Sequence, residues 1–189
     1  MALALCCGAA VAGCGGSSPS TSTTTRSVAK QTIPAAAQVC GSALDAARTL
    51  LGAHTTMRIT DSDQANIECL VTGAGVHLDV KAQAAPRAWE QFDTVVVHQA
   101  QANETGTSQN NPQLPIDLPP QGDAQAVWIP ATSQLVATNG TQSSGGSYLT
   151  VNVTRRSKRG PSSLKVARAV GNAALAVAPR GPSPGPAPS

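Results

Sequence analysis

Three histidines, His54, His77 and His98, are the first residues to weigh for proton transfer, because imidazole is the side chain that titrates near neutrality. No GxSxG nucleophile elbow and no HExxH zinc motif surrounds any of them. His77 and Asp79 alternate along one stretch, so a base and its orienter could share a strand face. Alternating polar residues are equally what a solvated strand face looks like. Asp61-Ser62-Asp63 with Asn66 nearby offers oxygen ligands resembling a calcium loop. Ala65 stands where the next ligand belongs, and the required glycine and terminal glutamate are missing. Gly73-Ala74-Gly75 follows a strand as a dinucleotide-binding loop would, but lacks the third glycine and an opening helix, so it reads as a hairpin turn. Trp89 and Phe92 fall at helical spacing and read as core rather than as a ligand shelf. The expectation is a non-enzymatic protein with no catalytic residue, no metal set and no cofactor.

Charge is the feature that stands out. Up to Asp123 the chain carries six basic and ten acidic residues, a net of −4, whereas residues 124–189 hold seven basic residues and no acid. Arg155, Arg156, Lys158 and Arg159 crowd into five positions. Such a cluster could hold anionic lipid, a phosphate-rich wall polymer or an acidic partner, each cation near a charged membrane adding about 1 kcal/mol. It also fits an ordinary solvated turn. Aromatic residues are only 2% of the chain, which argues against a sugar-stacking platform or a single-strand nucleic-acid surface, both of which need repeated ring faces.

The elements that would position these residues can be read between residues 40 and 178, long enough for one packed domain. Ser42 and Asp45 resemble a capping box, and Leu44, Ala47 and Leu51 recur at helical spacing, predicting a helix over 42–51. Ile67, Cys69 and Val71, then Val76, Leu78 and Val80, alternate with more polar neighbours and predict a hairpin, with Cys69 inward and His77 outward. A second helix is expected over 86–101, with the Val95-Val96-Val97 run leaving a strand in competition. Residues 102–122, rich in Pro, Asn and Gln, read as a loop. Strands follow at 124–129, 134–138 and around Leu149, Val151 and Val153. A last helix opens at Pro161 with Ser162 or Ser163 and ends at Pro179, with Val166, Val170, Ala173 and Val177 as its apolar stripe. Strand runs framed by helices predict an α+β domain, its antiparallel sheet carrying helices packed on one face.

Residues 2–13 form an uncharged apolar run too short to span a bilayer, the length of a signal-peptide core. Val11-Ala12-Gly13-Cys14 then resembles the lipobox of bacterial lipoproteins. That resemblance implies a signal peptide over 1–13, diacylglyceryl modification of Cys14, and an anchor at the extracytoplasmic face of the cell membrane. No Lys or Arg precedes the run, so the true start is expected several codons upstream. Residues 14–39 are Gly-, Ser-, Thr- and Ala-rich and read as a lipidated tether, and 179–189 as a proline-rich tail.

On that reading Cys6 and Cys7 leave with the signal and Cys14 is acylated, which leaves Cys40 and Cys69 as partners in a disulfide. A metal pair would want further Cys or His close by, and two unpaired buried thiols are the remaining option. Lipobox, tether, a cysteine at the first helix, a second in the following strand, the segment Asp123-Ala124-Gln125-Ala126-Val127-Trp128-Ile129-Pro130 leading into Leu135–Gly140, and a closing Ala-rich helix together resemble small actinobacterial envelope lipoproteins of unknown function. What the resemblance implies is a location and a compact domain. The function expected is a non-enzymatic binding or accessory module for an envelope component or protein partner, with no nucleic acid involved. Carriage or sensing of a small apolar ligand such as a lipid, in a cavity between sheet and helices, is the alternative.

Overall fold

A computed structural model describes residues 34–104, 114–115, 118 and 124–183. The expectations for Cys14, the signal run, and most of the 102–122 loop and of the tail concern residues outside that set. The elements run α1 (Pro34–Leu51), β1 (Thr56–Ser62), β2 (Asn66–Gly73), β3 (Val76–Ala85), α2 (Ala88–Glu104), β4 (Leu114–Pro115), β5 (Gln125–Ile129), β6 (Gln134–Thr138), β7 (Gly146–Arg155) and α3 (Ser163–Val177). The seven strands form one sheet in the order β1-β2-β3-β7-β6-β5-β4, and every neighbouring pair is antiparallel. The protein is α+β.

Register defines the two faces. Cys69 stands opposite Val80, which faces Val151, then Leu135 and Trp128, one row of side chains across five strands. Beneath this row α1 and α3 lie side by side, and Val39, Cys40, Val166, Val170 and Leu175 are wholly buried against it. The helices reach the strands closely because α3 has glycine at 171, where a Cβ would meet the Leu135 side chain. Cys40 and Cys69 are bonded, with Cα atoms 6.0 Å apart, tying α1 to the second strand. Closing 29 residues of chain stabilises the fold by about 3–4 kcal/mol on the chain-entropy account.

Three expectations need correction. α1 starts at Pro34 rather than at residue 42, so Ser42 is not a cap and residues 34–39 belong to the helix, not to a tether. Proline suits a first helical position, and Ala35, Ala36 and Ala37 are the best helix formers; burial of Ala36 and Val39 then supplies tertiary support. β1 occupies residues for which the sequence predicts no element. It is an edge strand, mostly exposed, with a bulge between Ile59 and Asp61. The one-face arrangement holds for α1 and α3 only. α2 packs on the opposite side, where Phe92, Val127, Ile129 and Val136 make a second, smaller core joined by Val95, Val96 and Tyr148.

Turn chemistry sets the hairpin as expected. Gly73 pairs with Val76, and the two residues between, Ala74 and Gly75, both have positive φ, 47° and 72°. That is the primed turn whose twist matches its strands. Gly73 is itself crowded, since a Cβ there would run into Thr55 after α1.

Candidate anion-binding site

Three junctions meet at one end of the domain. Thr55, just past α1, lies against Gly73. The Arg156 amide donates to the Gly75 carbonyl at 2.9 Å, joining the β7–α3 turn to the β2–β3 turn. Leu50, near the end of α1, lines a cleft with Ser162 and Leu164 at the start of α3. The β1–β2 turn lies at the other end of β2, about 26 Å away along eight strand residues.

The basic cluster occupies this end. Arg155 closes β7 and is half-buried, while Arg156, Lys158 and Arg159 are exposed. The turn is held from within. Arg155 Nη2 donates to the Arg159 carbonyl at 2.7 Å, the Arg159 amide donates to Ser157 Oγ at 3.2 Å, and Gly160 takes φ 94°, a conformation that suits glycine. The buried Nε of Arg155 has no hydrogen-bond partner among the described residues. Arg155, Arg156, Ser157 and Lys158 line an open cavity of about 490 Å³. Among the described residues none of the four cations has a carboxylate within ion-pair distance. α3 begins a few residues on, capped by Ser162, whose Oγ accepts from the Lys165 amide at 3.2 Å. The positive end of that helix dipole therefore adds to the cations rather than opposing them.

Carboxylates are held elsewhere. Asp63 Oδ1 accepts from the Ala65 and Asn66 amides at 2.8 and 2.6 Å, and Asp61 Oδ1 from the Ser62 amide at 2.9 Å. The residues weighed as a calcium loop thus shape the β1–β2 turn. On the polar sheet face, Lys81 Nζ lies 3.3 Å from Glu68 and 3.6 Å from Asp79. Asp79, then Glu68, hold the lysine above its ordinary pKa. His77 does not pair with Asp79. Its Nδ1 lies 3.3 Å from Thr72 Oγ1 across the hairpin, so the structure does not assemble the base-and-orienter pair. Beside them Asp61, Asn66, Glu68, Lys81, Gln83, Tyr148 and Thr150 line a polar hollow of about 310 Å³, and burial raises the Tyr148 phenol above its ordinary pKa.

Two apolar clefts were not legible in the sequence. One, of about 480 Å³, lies between α1 and α3 with Leu50, Leu164 and Ala169 as apolar lining and Lys165 and Arg168 at its edge. The other, about 330 Å³, lies under α2, lined by Phe92, Val96, Pro115 and Val127. On α2, Trp89 is half-buried and Phe92 is buried. The first cleft is formed by α3 and its cap together with Leu50 of α1, the second by α2 together with residues 115 and 124–127, so each needs the tertiary packing to bring its two sides together. No protein-family model, no curated protein and no solved structure matches this chain. No helix among the described residues is long and apolar enough to cross a membrane.

Proposed function

We propose that the chain is an exported lipoprotein, held to a membrane by lipid on Cys14, whose domain is a non-enzymatic module that binds an anionic component of the cell envelope. The observation that carries the binding part is the basic end without carboxylate partners among the described residues, where Arg155, Arg156, Lys158 and Arg159 are carried on one hydrogen-bonded turn beside the positive end of α3. The turn backbone and the Arg155 side chain are held before an anion arrives, so closing the turn costs binding little, and the exposed Arg156, Lys158 and Arg159 side chains supply further charge. Contacts of this kind weaken with salt, because exposed charges are screened within about 8–10 Å at ordinary ionic strength. The supports for the anchor are the Val11-Ala12-Gly13-Cys14 sequence and the apolar run before it.

The test has two parts. Mass spectrometry of the chain recovered from its native membrane should find residue 14 as an acylated N-terminus; an unmodified, uncleaved start would sink the anchor. Replacing the four cations with Ser should abolish salt-sensitive retention on a polyphosphate matrix, and undiminished retention would sink the binding reading.

A second reading is favoured by the cleft under α2: carriage or sensing of a small apolar ligand between helix and sheet. Stoichiometric lipid in a solvent extract of the purified protein would support it, and an extract free of lipid would count against it.

A further inference from the structure

The cleft between α1 and α3 gives the basic end a second chemistry. Leu50 and Leu164 are half-buried, packed on the edge of the main core, and each leaves a side to the cleft. Lys165 and Arg168, one turn apart on α3, stand on its lip, exposed and without an ion-pair partner among the described residues. Ser162, the cap of α3, lines the same cleft and ends the turn that carries Arg155–Arg159. An apolar trough of about 480 Å³ with cations on its rim, next to a basic turn, matches an amphiphile that is apolar along its length and negative at its head. A soluble polyanion would satisfy the cations and leave Leu50 and Leu164 in water.

We propose that this cleft receives an acyl chain of an anionic lipid, with Lys165 and Arg168 at the headgroup and the basic turn against the surrounding anionic surface. This rests on the proposed anionic-binding reading and narrows it from a class of charge to a bilayer lipid. Long cationic side chains suit the position, since their stems can lie on apolar surface while their heads stay at the polar boundary.

The experiment uses the mature chain from residue 14 carrying Cys14→Ser, so that neither the apolar run before it nor its own acyl group can report as binding. Sedimentation with vesicles of phosphatidylglycerol and phosphatidylcholine in equal parts is compared with phosphatidylcholine alone, and polyphosphate retention is measured alongside. Binding should require phosphatidylglycerol. Ala169→Leu, which fills the cleft, and Leu164→Gln, which makes its wall polar, should each weaken vesicle binding about fivefold or more while leaving polyphosphate retention unchanged. As a check that needs no groove variant, phosphatidylglycerol spin-labelled on its acyl chain should broaden the methyl resonances of Leu50, Leu164 and Ala169. If both variants bind vesicles like the parent, or the label leaves those methyls sharp, the lipid cleft is overturned while the anionic reading stands. If neither vesicles nor polyphosphate are held, both fall.

Discussion

On one face of the sheet, two helices and a disulfide cover a continuous core; on the other, one helix covers a small apolar patch and leaves polar strands open. Leu149 and Val136 illustrate the difference. Both are essentially inaccessible, but Leu149 points at α3 among many fully buried neighbours, whereas Val136 belongs to a four-residue cluster beside an open cleft. Stability is therefore concentrated on the α1–α3 side, and the α2 side has room for exchange with solvent or ligand. The sharpest way to break this contrast is a matched pair of truncations. Leu149→Ala should cost about 3–5 kcal/mol, because a close-packed site collapses poorly around a cavity. Val136→Ala should cost only about 1–2 kcal/mol, near the transfer value of two methylenes. Urea denaturation at constant slope measures both, and equal losses would erase the distinction between the faces.

Next in size is the staple. Cys40→Ala with Cys69→Ala should lower stability by about 3 kcal/mol, because the open chain gains the freedom that a 29-residue closure denies it. The bond joins α1 to β2, and neither cysteine belongs to the cluster under α2. Hydrogen exchange should therefore speed up first in α1 and β1, while amides of α2 change only with global unfolding. Uniform acceleration through both faces would mean that the sheet couples them more tightly than packing suggests.

The sequence made these two faces unequally legible. β2 and most of β3 are recognisable because buried and less buried positions alternate, and β7 more loosely, while α3 is recognisable by its Ser162 cap and by Val166 and Val170; its buried face then runs through Ala167, Gly171, Ala174 and Leu175, leaving Ala173 half-buried and Val177 exposed against the expected stripe. β1 escapes, since an exposed edge strand has little burial to impose a pattern and its bulge at Thr60 breaks the little there is. The start of α1 escapes for a different reason: a run of alanines suits a helix and a small-residue tether alike, and only the packing of Ala36 and Val39 decides between them. That α2 crosses to the other face follows from no local signal, because Phe92, Val95 and Val96 show that the helix has an apolar side without saying which side of the sheet it meets. Arg155–Arg159 were visible as a charge cluster. The bond from the Arg156 amide to Gly75, and the nearness of Leu50 to Leu164, are tertiary facts.

The smallest effect belongs to the polar face, and it is read at alkaline pH. Burial raises the Tyr148 phenol above its ordinary 10.0, and Asp79 and Glu68 raise Lys81 above 10.5. Both groups thus hold their protons longer in the folded chain than in the unfolded one. Wherever the unfolded state has given up protons that the folded state keeps, stability falls as pH rises, so their contribution is intact below pH 10 and is lost above it. Tyr148→Phe removes an ionisable group while keeping the ring against α2, and should make the decline between about pH 10 and 11 shallower with little change at neutrality. Lys81→Met should flatten it less, because the ammonium is exposed and its pairs are screened. Unfolding midpoints across that interval compare the three chains. An unchanged slope in the Tyr148 variant would show that the phenol titrates as freely folded as unfolded, and that the half-cover α2 gives this face does not keep water from the ring.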